Sequence, residues 1–255
     1  MKTAAIIQAR MGSTRLPGKM MMKIAGKPVV WHEFDRITSS QKIDAVLLAT
    51  TTNTEDDVLA HWAKENDVVL YRGSAVDVLD RYYHAARELG ADIIVRLTGD
   101  CPLLDPAIID AVIGEYEKGG CDYISSGRLT STFPDGLDTE VFSFAALKKA
   151  WQEARRESDR EHVTPYIWRN PGLFRVKTFD NAENLSHLRL TLDTPSDLEL
   201  LTRVIEESGR IHRPLGMHSV VELLNEHPEW LLINSDTVRN AGYHESVKSD
   251  SGNNV

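Results

Sequence analysis

Residues 4–19 read AAIIQARMGSTRLPGK, an apolar run followed by a loop that is rich in glycine and positive charge. The first four of these residues predict a buried strand. In the loop, Gly12 and Gly18 let the backbone approach a ligand closely, and the hydroxyls of Ser13 and Thr14 can donate hydrogen bonds to phosphate oxygens. The stretch therefore predicts a polyanion-binding loop at the carboxyl end of a first strand.

Three permanent positive charges lie in this loop, at Arg10, Arg15 and Lys19, in a chain whose formal net charge is −9. A basic, solvated surface loop is the alternative interpretation of the same composition. The loop is not a P-loop, because its glycines are one residue too far apart and Met20 replaces the magnesium-binding hydroxyl.

The composition sets limits on the class of protein. At 255 residues with 42% hydrophobic content, the chain is long enough for one domain with a full core. Its acidic balance argues against a general nucleic-acid binder, and no apolar run is long enough to predict a membrane span. There is no signal-peptide pattern, and the two cysteines, Cys101 and Cys121, fit a reducing compartment. We therefore expect a cytoplasmic protein with neither nucleic acid nor membrane as a partner.

Predicted strands alternate with predicted helices through most of the chain. Buried strands are expected at residues 4–7, 43–50, 68–71 and 93–97, each followed by a segment with helical periodicity, and further strands are expected at residues 173–179 and 188–192. This alternation predicts one α/β domain, a mostly parallel sheet with helices on both faces.

We expect this single domain to cover residues 1–244. Residues 210–244 form its C-terminal extension in this interpretation. Residues 245–255 contain Ser, Asn and Gly, and they are expected to be a disordered tail.

Two aspartates follow predicted buried strands at the positions where open α/β sheets bind ligands. Asp100 follows the strand at 93–97, and Asp105 is the better candidate to cap the next helix. Asp193 follows an apolar segment, and Thr194 is the better cap there. Neither aspartate is needed as a cap, so both are candidates for a ligand site, although ordinary turn residues are the alternative.

The loop motif resembles the N-terminal signature of the cytidylyltransferases that activate acidic sugars. The resemblance covers nearly the whole chain and implies a Rossmann-like sheet of the nucleotide-diphospho-sugar transferase type. It also implies that the loop binds the triphosphate of CTP. The residues implied in this contact are Ala9, Arg10, Gly12, Ser13, Arg15 and Lys19.

Residues 72–81 resemble the part of that family that recognises the base and the ribose of the nucleotide. This implies nucleotide contacts for Arg72, Gly73 and Arg81. Ordinary surface arginines are the alternative for the two cations.

The same resemblance implies a magnesium site. Asp100 and Asp193 match the family's metal-binding aspartates, so Mg²⁺ is the expected cofactor. Arg15, Lys19 and Asp100 are then the expected catalytic residues, which position the phosphates and neutralise their charge. Because two neighbouring carboxylates repel each other without a cation, we expect the pair to cost stability in the metal-free protein.

Residues 133–170 resemble the region of the family that contacts the acceptor and the dimer partner, so a homodimer is implied. Asp135, Asp138, Glu140 and His162 are candidates for contact with a small acidic-sugar-like acceptor. The alternatives are solvated hairpin acids and a structural histidine.

Within this region, residues 160–166 read REHVTPY, which is typical of the spore-coat polysaccharide branch of the family. The implied reaction transfers CMP from CTP to a hydroxyl of an acidic sugar and releases pyrophosphate, for surface polysaccharide or glycoconjugate synthesis. One alternative is a glycosyltransferase of the related fold, although Thr98-Gly99-Asp100 lacks the first acid of its Asp-x-Asp motif. The other is a non-catalytic nucleotide-binding homologue, although the cations and both aspartates are retained.

Overall fold

The computed structural model describes residues 1–127, 130–237 and 239–252. Its strands are β1 (Thr3–Gln8), β2 (Lys23–Ile24), β3 (Lys27–Pro28), β4 (Ala45–Thr51), β5 (Val69–Gly73), β6 (Ile93–Thr98), β7 (Tyr123–Ser125), β8 (Glu140–Ser143) and β9 (Val176–Thr178). Its helices are α1 (Val29–Ile37), α2 (Asp57–Glu65), α3 (Val78–Leu89), α4 (Pro106–Glu117), α5 (Phe144–Glu153), α6 (Glu157–His162), α7 (Pro165–Arg169), α8 (Pro195–Arg210), α9 (Met217–Glu226) and α10 (Ala241–Gly252).

Seven of these strands form one mixed sheet in the order β5-β4-β1-β6-β8-β7-β9. Strands β5, β4, β1 and β6 are mutually parallel, β8 runs antiparallel to both of its neighbours, and β9 is parallel to β7. The prediction of a mostly parallel α/β sheet is confirmed. Strand β1 lies near the middle of the sheet, so the first loop leaves from the centre of its carboxyl edge.

Helices cover both faces of the sheet, and β1 accordingly carries apolar side chains on both of its sides. Ala5 and Ile7 belong to a core that contains residues of α1, α2, α4, α8 and α9. Ala4 and Ile6 belong to a second core with residues of α3, α5 and α7. A strand buried on both faces has the near-continuous apolar sequence that predicted it.

The predicted caps of two helices are confirmed. The Asp105 carboxylate accepts a hydrogen bond from the Ala107 amide at 2.9 Å and caps α4. Thr194 forms a reciprocal capping box with Asp197 at the start of α8. Asp100 and Asp193 therefore have no capping role at these helices.

The segment 188–192 differs from the predicted strand. It bonds to the loop at 135 by a single bridge between Asp135 and Arg189 instead of joining the sheet. Gly136 makes this close approach possible: its φ is +101°, and a Cβ there would lie 2.6 Å from the backbone of Leu190. The predicted strand at 173–179 is likewise reduced to the three residues of β9.

The C-terminus also differs from the prediction of a disordered tail that begins at residue 245. Helix α10 continues to Gly252, and Asp250 accepts a hydrogen bond from the Ser158 amide in α6 at 3.2 Å. Tertiary contacts with α6 stabilise a segment whose own sequence is polar. Residues 253–255 lie outside the described residues. Among the helices described, none is long and apolar enough to cross a membrane.

Candidate active site

The first loop is folded back on itself at the carboxyl edge of the sheet. The amides of Ser13 and Gly18 both donate to the Met11 carbonyl, at 2.8 and 3.0 Å, and Gly18 has a φ of +74°. The Met11 amide in turn donates to the buried Asp56 carboxylate at 2.6 Å. These bonds fix the loop backbone, so its cationic side chains are presented from a rigid turn.

Two adjoining cavities open beside this loop. The larger has a volume of about 1220 Å³ and the smaller about 260 Å³. The residues that line both are Arg15, Arg96, Thr98, Asp100, His162, Asp193, Ala241 and Gly242. Among them, Thr98, Asp100 and Asp193 lie at the ends of β6 and of the segment 188–192, as expected for an open α/β sheet.

Lys19 lies at the junction and holds the two aspartates together. Its Nζ donates to Asp100 Oδ2 and to Asp193 Oδ1, each at 2.9 Å, and to the Leu192 carbonyl at 2.7 Å. Because both oxygens lie 2.9 Å from the same nitrogen, Asp100 Oδ2 and Asp193 Oδ1 are at most twice 2.9 Å apart. Burial alone would lower the pKa of Lys19, but the two carboxylates outweigh burial and raise it.

Asp193 accepts from two further cations. Arg15 lies 3.0 Å from Oδ1 and Arg189 lies 2.9 Å from Oδ2. Burial would raise the pKa of Asp193, but Lys19, Arg15 and Arg189 outweigh it and lower that pKa. Asp193 is thus held as an ionised carboxylate by three cations, two of which it shares with neighbouring aspartates.

Arg189 is a site residue that the sequence analysis missed. It is buried and also pairs with Asp135 at 2.6 Å and with Asp197 at 2.9 Å. The signal was present: Arg189 is a single cation within the apolar run at 188–192, four residues before Asp193. It binds Oδ2 of the Asp193 carboxylate, whereas Lys19 binds Oδ1.

Glu33 is a second residue that was missed. Its side chain is fully buried in α1, and Oε1 accepts a hydrogen bond from the Cys101 amide at 2.6 Å. Burial and the nearby Asp100 raise the pKa of Glu33 well above its usual range. Glu33 therefore holds the turn that carries Asp100.

The predicted acceptor residues occupy the wall of the smaller cavity. Asp135 and Asp138 line it, and Asp138 pairs with Arg239 at 2.6 Å. Burial raises the pKa of Asp138 to about 7; Arg239 opposes this shift and Asp135 adds to it. Glu140 also lines the cavity, where it pairs with Arg96 and accepts from the Thr164 hydroxyl at 2.7 Å.

His162 lines both cavities. Its Nε2 lies 3.0 Å from the Ser246 hydroxyl, and its ring packs against Tyr243 at 5.3 Å between ring centroids. Burial lowers the pKa of His162, so its neutral form is favoured near pH 7.

The residues predicted to bind the nucleotide divide into two groups. Ala9, Arg10, Ser13, Arg15, Lys19 and Arg81 line the larger cavity. Gly12 does not line it; a Cβ at Gly12 would lie 2.6 Å from the Glu55 carboxylate, so this glycine serves packing within the loop.

Arg72 and Gly73 line neither of the two cavities described. The Arg72 guanidinium bonds the Thr51 and Asn53 carbonyls at 2.8 and 2.9 Å and pairs with Asp57 at 2.7 Å. Arg72 therefore ties β5 to the start of α2. The nucleotide contact implied for Arg72 and Gly73 stays a prediction, although the Arg72 guanidinium is already used within the fold.

Comparison with known proteins agrees with this geometry. The sequence profile of a family described as cytidylyltransferase matches residues 4–215. The chain belongs to the cytidylyltransferase family. Membership supports a CTP-dependent nucleotidyltransferase over the glycosyltransferase and non-catalytic alternatives.

Three similar proteins illustrate the family. The spore coat polysaccharide biosynthesis protein SpsF of Bacillus subtilis is 34% identical, over 88% of this chain and 94% of its own. A 3-deoxy-manno-octulosonate cytidylyltransferase of Geobacter metallireducens is 37% identical, over 82% of this chain and 99% of its own. The structure of a cytidylyltransferase from Leptospira borgpetersenii superposes with a TM-score of 0.85 at 34% identity, covering 94% of this chain and all of its own.

The donor set of this cytidylyltransferase suits a magnesium ion in part. Asp100 and Asp193 converge on the Lys19 ammonium and offer carboxylate oxygens, which are the ligands that Mg²⁺ prefers. Within residues 1–127, 130–237 and 239–252, no group of three or more acidic, histidine or cysteine side chains is placed to hold a metal. Phosphate oxygens and water would complete such a site, as is usual for Mg²⁺.

Proposed function

We propose that this cytidylyltransferase transfers CMP from CTP to a hydroxyl of an acidic sugar, with magnesium and with release of pyrophosphate. The observation that supports this most directly is the position of Lys19. It joins Asp100 and Asp193 at the junction of a large and a small cavity. A nucleotide and a smaller acceptor bound in these cavities would meet at that junction.

In this proposal the larger cavity binds CTP. Arg10, Arg15 and Lys19 contact the triphosphate through charge-assisted hydrogen bonds. The acceptor hydroxyl attacks the α-phosphorus in line, a new P–O bond forms, and the bond to the β-phosphate oxygen breaks. These cations stabilise the negative charge on the departing pyrophosphate, and the hydroxyl proton passes to solvent water. Catalysis consists of positioning and charge neutralisation, without a covalent enzyme intermediate.

Asp100 and Asp193 would hold the magnesium ion. When bound, the ion neutralises part of the charge on the phosphates. Lys19 and Arg189 orient the two carboxylates before the nucleotide arrives. Glu33 supports the turn that carries Asp100.

The smaller cavity supports an acidic sugar as the acceptor. Arg15, Arg96 and Arg189 on its wall can attract a carboxylate, and Asp135 and Asp138 can accept hydrogen bonds from hydroxyls. A relative named for 3-deoxy-manno-octulosonate and another named for spore coat polysaccharide fit this class. We therefore propose a role in surface polysaccharide or glycoconjugate synthesis.

Nucleotide binding and turnover test the proposal separately. Calorimetry with CTP, UTP, ATP and GTP in the presence of magnesium should show the tightest binding for CTP. Pyrophosphate release with CTP should then require a sugar acid from a panel that includes 3-deoxy-octulosonic and neuraminic acids. A preference for a purine nucleotide, or turnover with neutral sugars alone, would contradict it.

We also propose a homodimer, on the basis of the family resemblance of residues 133–170. Sedimentation equilibrium of the full chain should give twice the mass of one protomer. A single protomer mass across the micromolar range would contradict this.

A further inference from the structure

The segment from residue 239 onward closes one side of the smaller cavity. Residues 240–243 line it, and Pro165 and Trp168 of α7 line it as well. Ala241 and Gly242 also line the larger cavity. The start of α10 therefore lies where both cavities meet.

Arg239 joins this segment to two acids of the cavity wall. Its guanidinium donates to Asp138 Oδ1 at 2.6 Å and to the Phe133 carbonyl at 2.9 Å. Its Nε lies 3.8 Å from Asp135 Oδ1. The side chain is only 19% exposed, so these charge-assisted bonds are shielded from solvent and firmly hold residue 239.

A second set of contacts holds α10 itself. The Ser246 hydroxyl lies 3.0 Å from His162 Nε2, and the Tyr243 ring lies 5.8 Å from the Trp168 ring between centroids. Asp250 accepts from Ser158 at the far end of the helix. The wall is thus fixed both before and after residues 240–243.

We propose that residues 240–243 form the outer wall of the acceptor cavity, and that Arg239 is the positioning residue that holds this wall and limits acceptor size. This inference rests on the proposed function, because it takes the smaller cavity as the acceptor site. A cavity of about 260 Å³ lies below the usual range for drug-sized ligands. The wall therefore selects a compact sugar acid and excludes acids with a bulky substituent near Tyr243.

Arg239→Gln and Arg239→Lys test the positioning role, with Lys248→Ala as the matched control on the exposed face of α10. In Arg239→Gln the KM for a compact sugar acid should rise about tenfold, while kcat and the KM for CTP stay within about twofold. Arg239→Lys keeps the charge but not the guanidinium fork, so it should recover part of the loss. An unchanged acceptor KM, or an equal rise in the KM for CTP, would overturn the proposal.

Tyr243→Ala tests the wall without disturbing the Arg239 ion pairs, and it serves if Arg239→Gln fails to fold. This variant should accept bulky N-acylated sugar acids that the natural chain rejects. An acceptor range identical to that of the natural chain would count against the wall.

Amide hydrogen exchange provides a readout that needs no acceptor. Amides of residues 241–249 should be protected in the full chain, and exchange about tenfold faster in Arg239→Gln but not in Lys248→Ala. If no sugar acid is turned over but this exchange pattern holds, the proposed function is wrong, while Arg239 is still shown to hold residues 240–243. If sugar acids are turned over while the amides of residues 241–249 exchange without protection, the proposed wall is wrong and the proposed function is retained.

Discussion

The Lys19 ammonium lies 2.9 Å from Oδ1 of Asp193, although the two residues are 174 positions apart in the chain. The same ammonium also bonds Asp100. The two carboxylates therefore have a cation between them without any metal. This changes the expectation that their repulsion destabilises the metal-free protein, because Lys19 offsets it.

Arg15 and Lys19 should differ in their effect on folding. The Arg15 side chain is 44% exposed, whereas that of Lys19 is 11% exposed. Arg15→Ala should lower turnover of CTP at least about tenfold and change the free energy of unfolding by less than about 1 kcal/mol. Lys19→Met should lower turnover and also destabilise the fold by about 2 kcal/mol, because it leaves two carboxylates without their shared donor.

Urea unfolding and a pyrophosphate assay measure these effects, with Lys23→Ala as the control at an exposed position. If Lys19→Met unfolded at the same urea concentration as the natural chain, the structural role of the ammonium would be disproved. Normal turnover in Arg15→Ala would show that the loop is only a basic surface.

The two aspartates should also differ from each other in the metal-free state. Asp193 accepts from Lys19, Arg15 and Arg189, while Asp100 accepts from Lys19. In EDTA, Asp193→Asn should therefore lower the free energy of unfolding by about 1–2 kcal/mol and Asp100→Asn by less. Both should lose most magnesium-dependent activity. An Asp193→Asn enzyme with the magnesium dependence of the natural chain would leave Asp100 as the single metal anchor.

Asp138 should make stability depend on pH between about pH 4 and 7. Its pKa is raised to about 7 in the fold, mainly by burial, against about 3.9 for an unfolded aspartate. The folded chain then binds the extra proton in this window, so stability is highest below pH 4 and falls as the pH rises to 7.

The variant Asp138→Asn removes this dependence. Relative to that of the natural chain, its free energy of unfolding should rise by on the order of 2 kcal/mol from pH 4 to pH 8, allowing for partial exposure of the Asp138 side chain. Thermal unfolding across this range measures it, with Asp180→Asn as the exposed control. Parallel stability curves for Asp138→Asn and the natural chain would contradict the raised pKa.

Arg72 and Arg81 should separate stability from nucleotide binding. Arg81 lines the larger cavity, and Arg72 is bonded to Asp57 and to two carbonyls outside it. Arg81→Gln should weaken CTP binding by about tenfold. Arg72→Gln should leave the Kd for CTP unchanged and lower the melting temperature by a few degrees. Calorimetry gives the Kd for CTP and thermal unfolding gives the melting temperature of both variants. Weaker CTP binding in Arg72→Gln would show that Arg72 contacts the nucleotide.

The sequence by itself was sufficient to predict the fold class and the position of the first loop at the end of β1. Apolar runs such as 4–7 identify strands buried on both faces, because a parallel sheet covered by helices requires them. The caps at Asp105 and Thr194 were equally predictable, since capping is a local interaction between residues a few positions apart. The loop cations and the two aspartates were recognised from residue type and order.

Only the tertiary structure decided how the charges of the site are paired. The contacts of Lys19 and Glu33, and that of Arg189 with Asp135, span large separations in sequence, and no local pattern specifies them. The same holds for Arg72, whose partners are backbone carbonyls of another strand end, and for Arg239, which reaches Asp138 across 101 positions. A local sequence pattern fixes which groups the backbone carries, but desolvation and packing determine which of them meet.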